Sequence, residues 1–212
     1  MIEIDLHMLQ IILSIIALLI AIIGHEVAHG YAALCYGDKT AKLLGRLSVN
    51  PLVHIDLLGS ILVPVLLYIS GAPFLFGWAK PVPINNRKVF IGGGFNGLSV
   101  VASAGISYNL MLAFLAGLLL QWFAFPDWIM IFLAQLLLVN VVLAVFNAWP
   151  IPPLDGSWIL SYQFSRFGIM GLQRFYERVG NYGMLVLIVV LAFEPLRSLF
   201  FAPALWLLEF LA

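Results

Sequence analysis

Two histidines four residues apart, His25 and His29, bracket a glutamate, Glu26, in the stretch GHEVAHGY. On a helix, four residues amount to about 40° of rotation and ~6 Å of rise, so both imidazoles face one way. Two ring nitrogens so placed can bind one Zn²⁺, whose Zn–N bonds are ~2.0–2.1 Å long. Glu26 lies about 100° round from His25. It therefore sits at the edge of the site, within reach of a water on the metal rather than of the metal itself. Zinc lowers the pKa of such a water toward neutrality, and a neighbouring carboxylate can take its proton. The stretch HEVAH spells hydrolytic chemistry with one zinc per chain.

A catalytic zinc needs a third protein ligand and an open position. The remaining histidines are His7 and His54, and the carboxylates are few. Asp155 is favoured. It follows PIPP at 150–153, where proline lacks the N–H and clashes with the preceding turn, so a helix must end there. An N-cap role for Asp155, at the start of a helix beginning at Gly156, is the alternative and is compatible with ligation. His54 and Asp56, in NPLVHID, could orient a loop, gate the site or touch metal; a structural hydrogen bond is the favoured role for His54.

The segments that must position these residues belong in a membrane. Of 212 residues, 63% are hydrophobic and only 9% charged, against about 25% charged in soluble domains. Mean hydropathy is +1.07. Lipid is the solvent such a chain requires. Ten basic and ten acidic residues give no net charge and no argument for nucleic acid. The single cysteine, Cys35, excludes an internal disulfide and reads as a small buried residue near a helix end. Glu3 and Asp5 stand where a cleavable signal would carry positive charge.

Long helices are expected over residues 7–36, 95–122 and 128–148, with 181–211 forming one kinked helix or a hairpin. Residues 40–49 suit a short hairpin or strand, whose edge could take an extended substrate by strand addition. Nine of the ten basic residues fall in 39–46, 80–88 and 166–178, which the positive-inside rule assigns to the cytoplasm. Residues 55–76 then begin and end on that side, and Pro64, Gly71 and Pro73 suit a re-entrant element. Asn109, beside the small residues ASAGIS, suits a hydrogen bond between closely packed helices. Trp122, Trp128 and Trp149 suit an interfacial belt. The fold expected is an all-α polytopic membrane protein of about 4–6 transmembrane helices, with a re-entrant or short β element near the active site.

Four motifs in order carry a resemblance: HEVAH, NPLVHIDLLGS at 50–60, GWAKPVP at 77–83 and NAWPIPPLDG at 147–156. Together they resemble the site-2 protease family of intramembrane zinc metalloproteases, in its short prokaryotic form. The resemblance implies His25, His29 and Asp155 as zinc ligands and Glu26 as general base. It also implies that Asn147 helps bind the substrate carbonyl or oxyanion. It implies single-span membrane proteins as substrates in a cell (inner) membrane, and the clustered basic residues put the site toward the cytoplasmic side. Members often carry a PDZ or CBS domain; residues 1–212 read instead as one integral-membrane metalloprotease domain. The rival reading is a metal-binding membrane protein without hydrolysis, a permease or scaffold, which would need the histidines but not Glu26 as a base.

Overall fold

A computed structural model describes residues 5–71 and 77–211. Eight α-helices occur among them: α1 (Leu6–Cys35), α2 (Thr40–Leu43), α3 (Val63–Ile69), α4 (Asn86–Trp122), α5 (Asp127–Ala148), α6 (Asp155–Arg166), α7 (Gly171–Ala192) and α8 (Glu194–Leu211). Three of them, α1, α4 and α5, are long and apolar enough to cross a membrane. Two further pieces, Gly171–Gly180 and Tyr182–Ala192, meet at 77° and make a fourth if counted as one broken span.

α1, α4 and α5 form the core. Along α1 the residues Leu13, Ala17, Ala21, His25, His29 and Ala33 are buried at every fourth position. The histidines thus continue a stripe that packs against protein, while Ile11, Ile15 and Leu18 face outward. α5 answers with Leu133, Leu136, Leu137, Asn140, Val141 and Ala144, and α4 with Gly105, Asn109, Ala113, Ala116 and Gly117. Small residues let helices in lipid approach closely, where dispersion and interhelical hydrogen bonds replace the hydrophobic drive. Ala17, Ala113, Ala116, Val141 and Ala204 meet in one cluster on that principle.

The expected start of the second long helix, residue 95, coincides with a break inside α4. Gly94 there has φ 57°, a left-handed conformation that glycine takes without penalty. The last apolar stretch is two helices, since α7 ends at Ala192 and α8 begins at Glu194.

Residues 40–49 form no strand, and none occurs among the described residues. The Asp38 carboxylate accepts from both the N–H and the hydroxyl of Thr40. That starts the single turn α2, and Gly45, at φ 65°, redirects the chain after it. The element expected to be re-entrant or β is therefore helical over its described residues. A 3-10 turn, Pro51–His54, precedes a wide π-type stretch, Leu57–Leu62, that runs into α3. The apolar helix from Leu57 to Ile69 is about 20 Å long, short of the ~30 Å hydrocarbon core. Trp78 N–H donates to the Gly59 carbonyl at 3.1 Å, so the chain returns beside where it set out. Pro73 lies outside the described residues, as does Glu3.

Two smaller expectations fail. Cys35 is exposed rather than buried, because it closes α1 on the face away from the small-residue stripe. Trp122 and Trp128 are exposed at helix ends as a belt requires, but Trp149 points inward and its indole N–H donates to the Phe200 carbonyl at 3.1 Å.

Asp38 ties this periphery together. Its carboxylate also accepts from Asn85 N–H at 2.6 Å, and Lys88 lies 3.6 Å away. Burial pushes its pKa up, but the bonds from Thr40 and Asn85 and the Lys88 charge outweigh this and hold it below the usual value. A carboxyl whose folded pKa is depressed stabilises the fold fully above its unfolded pKa of about 3.9 and progressively less as pH falls through the folded value. Asp38→Asn should thus lower the melting temperature at neutral pH and flatten its decline in acid. Melting curves of both proteins from neutral pH to below pH 4 check this; parallel curves would contradict it.

Candidate metal centre

His25 and His29 lie ten and six residues before the end of α1, His25 about 15 Å from that end. Both are 7% exposed. Asp155 reaches them as the first residue of α6. Its Oδ2 is 3.2 Å from Nε2 of each histidine, and the two Nε2 atoms are 3.1 Å apart. The N-cap position of α6 is Leu154, without a side-chain cap bond, so Asp155 is turned to the imidazoles rather than to its own helix end.

The break that delivers Asp155 is firmly held. Tyr176 donates its hydroxyl to the Pro150 carbonyl at 2.9 Å, and Leu154 N–H donates to the Ile151 carbonyl at 2.9 Å. A Cβ on Gly156 would stand 2.1 Å from the Ala148 carbonyl oxygen, so only glycine lets α6 start this close to the end of α5.

The donor set fits a metal. His25 Nδ1 is 2.6 Å from Asn109 Oδ1, and His29 Nδ1 is 2.7 Å from the Val101 carbonyl. Both partners accept, so each Nδ1 carries a proton and Nε2 is the nitrogen each ring has left for a metal. Asp155 Oδ2 is buried without a hydrogen-bond partner. Three ligand atoms converging in a buried site suit a cation between them. Their mutual spacing, 3.1–3.2 Å, is close to the ~3.3 Å edge of a tetrahedron with ~2.0–2.1 Å bonds to zinc. These three residues form the candidate metal group among the described residues. Gly105 clears the space beside them: a Cβ there would lie 2.5 Å from Nε2 of both histidines.

Glu26 lines the same cavity, of about 570 Å³, together with Trp78, Val82, Asn147 and Tyr162. Its Oε2 accepts from Val82 N–H at 2.8 Å. The strap 77–82 that supplies this donor is itself pinned. Lys80 N–H donates to the His54 carbonyl at 2.8 Å, and Arg46 Nη2 donates to the Lys80 and Pro81 carbonyls at 2.9 and 3.3 Å. Tyr162, pushed up to about 12 by burial and then by Glu177, stays a neutral wall of the cavity.

Asn147 reaches the cavity as expected, but one amide N–H donates back to the Leu143 carbonyl at 3.0 Å, four residues earlier in α5. His54 stands apart from the metal group. Its Nε2 meets the Ser48 carbonyl at 2.8 Å, the structural bond favoured from sequence, and Asp56 caps the next turn through Gly59 N–H.

The model of peptidase family M50 matches residues 124–191, which include PIPP and Asp155. The chain is 35% identical over 200 residues to "Putative zinc metalloprotease YwhC" of Bacillus subtilis, covering 90% of this chain and 84% of that protein. The chain belongs to peptidase family M50, the site-2 protease family. "Putative zinc metalloprotease Rip2" of Mycolicibacterium smegmatis is 28% identical, over 94% of this chain and 74% of its own length. "Putative zinc metalloprotease MJ0611" of Methanocaldococcus jannaschii is 32% identical, over 79% of each. No solved structure matches. Family membership, the apolar helices and the three-residue group together make the chain an integral-membrane zinc metalloprotease.

Sequence reasoning missed Val82, Val101 and Asn140 as partners of the site, Val101 acting through its carbonyl. Val82 acts through its backbone N–H, which no side-chain pattern reveals. Asn140 lies in the apolar run LLLVNVVLAV, where one asparagine among aliphatic residues was the available signal.

Proposed function

We propose that this M50 peptidase cuts single-span membrane proteins within or beside the bilayer, with His25, His29 and Asp155 holding one zinc and Glu26 as general base. The observation that carries the reading is the depth of the site: its ligands lie inside α1 and at the buried start of α6, not on a surface loop. Zinc, when bound, supplies Lewis acidity that lowers the pKa of a water and draws charge from a carbonyl oxygen. Glu26 takes the proton of the attacking water and later delivers it to the leaving nitrogen. Val82 N–H holds one carboxylate oxygen, so the other is aimed by a fixed strap. Asn147 has a second amide N–H besides the one given to Leu143, and that donor serves the developing oxyanion.

A substrate helix hides its carbonyls in its own hydrogen bonds, so it must unwind locally before attack. The strap and the PIPP turn border the cavity where the unwound chain would lie. The clustered basic residues support a cell-membrane protein with this cavity open to the cytoplasm.

Reconstitution in vesicles with a single-span substrate tests the reading. Cleavage should fall inside or at the rim of the apolar stretch, stop with chelator and return with zinc. Cuts confined to soluble regions, or activity indifferent to chelator, would contradict it.

A further inference from the structure

A polar chain runs behind His25, through three helices and entirely out of water. Asn140 on α5 and Asn109 on α4 are each 0% exposed. Burying two amides in a lipid-immersed core is costly unless each hydrogen-bonding atom is met, and here they are met in one direction. Asn140 Nδ2 donates to the Leu136 carbonyl at 2.8 Å. A backbone carbonyl only accepts, so it fixes which end of the Asn140 amide is nitrogen. Asn140 Oδ1 is thereby turned to Asn109 and accepts from its Nδ2 at 2.8 Å. The same Nδ2 donates to the Ala21 carbonyl of α1 at 3.2 Å. With both donors spent on acceptors, Asn109 can present only its oxygen to His25, at 2.6 Å from Nδ1.

We propose that Asn140 is a positioning residue for the metal centre: acting through Asn109, it fixes the tautomer and ring orientation of His25, so that Nε2 keeps a lone pair aimed at the metal position. The inference rests on His25 being a zinc ligand. His29 needs no such chain, because the Val101 carbonyl already holds its Nδ1. An amide facing His25 can flip between donor and acceptor, whereas a backbone carbonyl cannot. Asn140 and the Ala21 carbonyl are what make the flippable partner behave like the fixed one. Outer partners of metal-bound histidines set ring orientation and basicity in this way in general.

The test is zinc affinity, by competition with a chromophoric chelator, on the purified full chain in detergent. Wild type, Asn140→Leu, Asn140→Asp and His25→Ala are compared, each corrected for its folded fraction. Asn140→Leu should bind zinc about 10-fold more weakly, at the low end of the usual 10–100-fold loss for outer partners. Asn140→Asp should bind close to wild type. Burial keeps that acid neutral, its O–H donating to Leu136 and its C=O accepting from Asn109. Asn140→Ala carries the same expectation as the leucine variant and decides the matter if the latter does not fold. An Asn140→Leu protein that melts early yet binds zinc like wild type would overturn the proposal and leave Asn140 as helix glue. So would an aspartate variant as weak as the leucine one. Wild type binding no more zinc than His25→Ala would sink the metal reading itself, a distinct failure.

Discussion

Glu26→Gln is expected to keep one zinc per chain and to lose about 10²–10⁴ in turnover, the usual contribution of a positioned general base. The amide has the shape of the carboxylate, and its oxygen can still accept from Val82 N–H, so the strap stays in place. What it cannot do is take a proton. Zinc content, melting temperature and turnover measured on one preparation separate chemistry from folding. A Glu26→Gln protein with wild-type turnover would remove the general-base role and most of the protease mechanism with it.

Asp155→Ala should have the opposite signature: zinc lost first, and activity with it. The substitution deletes the carboxylate of the three-atom group and leaves two imidazoles. The loss in affinity should exceed the 10–100-fold typical of outer partners. Helix α6 should survive, because Asp155 provides no cap bond there. Its first-turn charge is worth only about 0.3–1 kcal/mol. Metal analysis after dialysis, with a melting curve, checks both halves. Retention of zinc with undiminished affinity would mean another third ligand. His54, whose buried Nδ1 has no hydrogen-bond partner, would then be the first suspect.

Much of this site was legible in the sequence because its chemistry is local. HEVAH encodes its geometry in helical periodicity, and PIPP announces the break that frees Asp155 from α5. The three long spans were legible because lipid demands uninterrupted apolar helices. What escaped depends on tertiary contact or on backbone. The expected strand at 40–49 lost to a side chain, since Asp38 bonding Thr40 favours a turn of helix over an extended chain. Asn109 is legible as a hydrogen-bonding residue between helices. Its orientation toward His25 is not, because that is set by Asn140, 31 positions away on another helix. The grip of Val82 on Glu26 spans 56 positions and uses a main-chain N–H that every non-proline residue shares.

X-ray absorption at the zinc edge, on the purified protein in detergent, tests the central claim most directly. Two imidazole nitrogens at ~2.0–2.1 Å and one carboxylate oxygen at ~2.0–2.2 Å, with a fourth light ligand, are predicted. In His25→Ala or Asp155→Ala that spectrum should vanish or lose the corresponding shell. A wild-type spectrum without imidazole scattering, or one unchanged in the Asp155→Ala protein, would contradict the account.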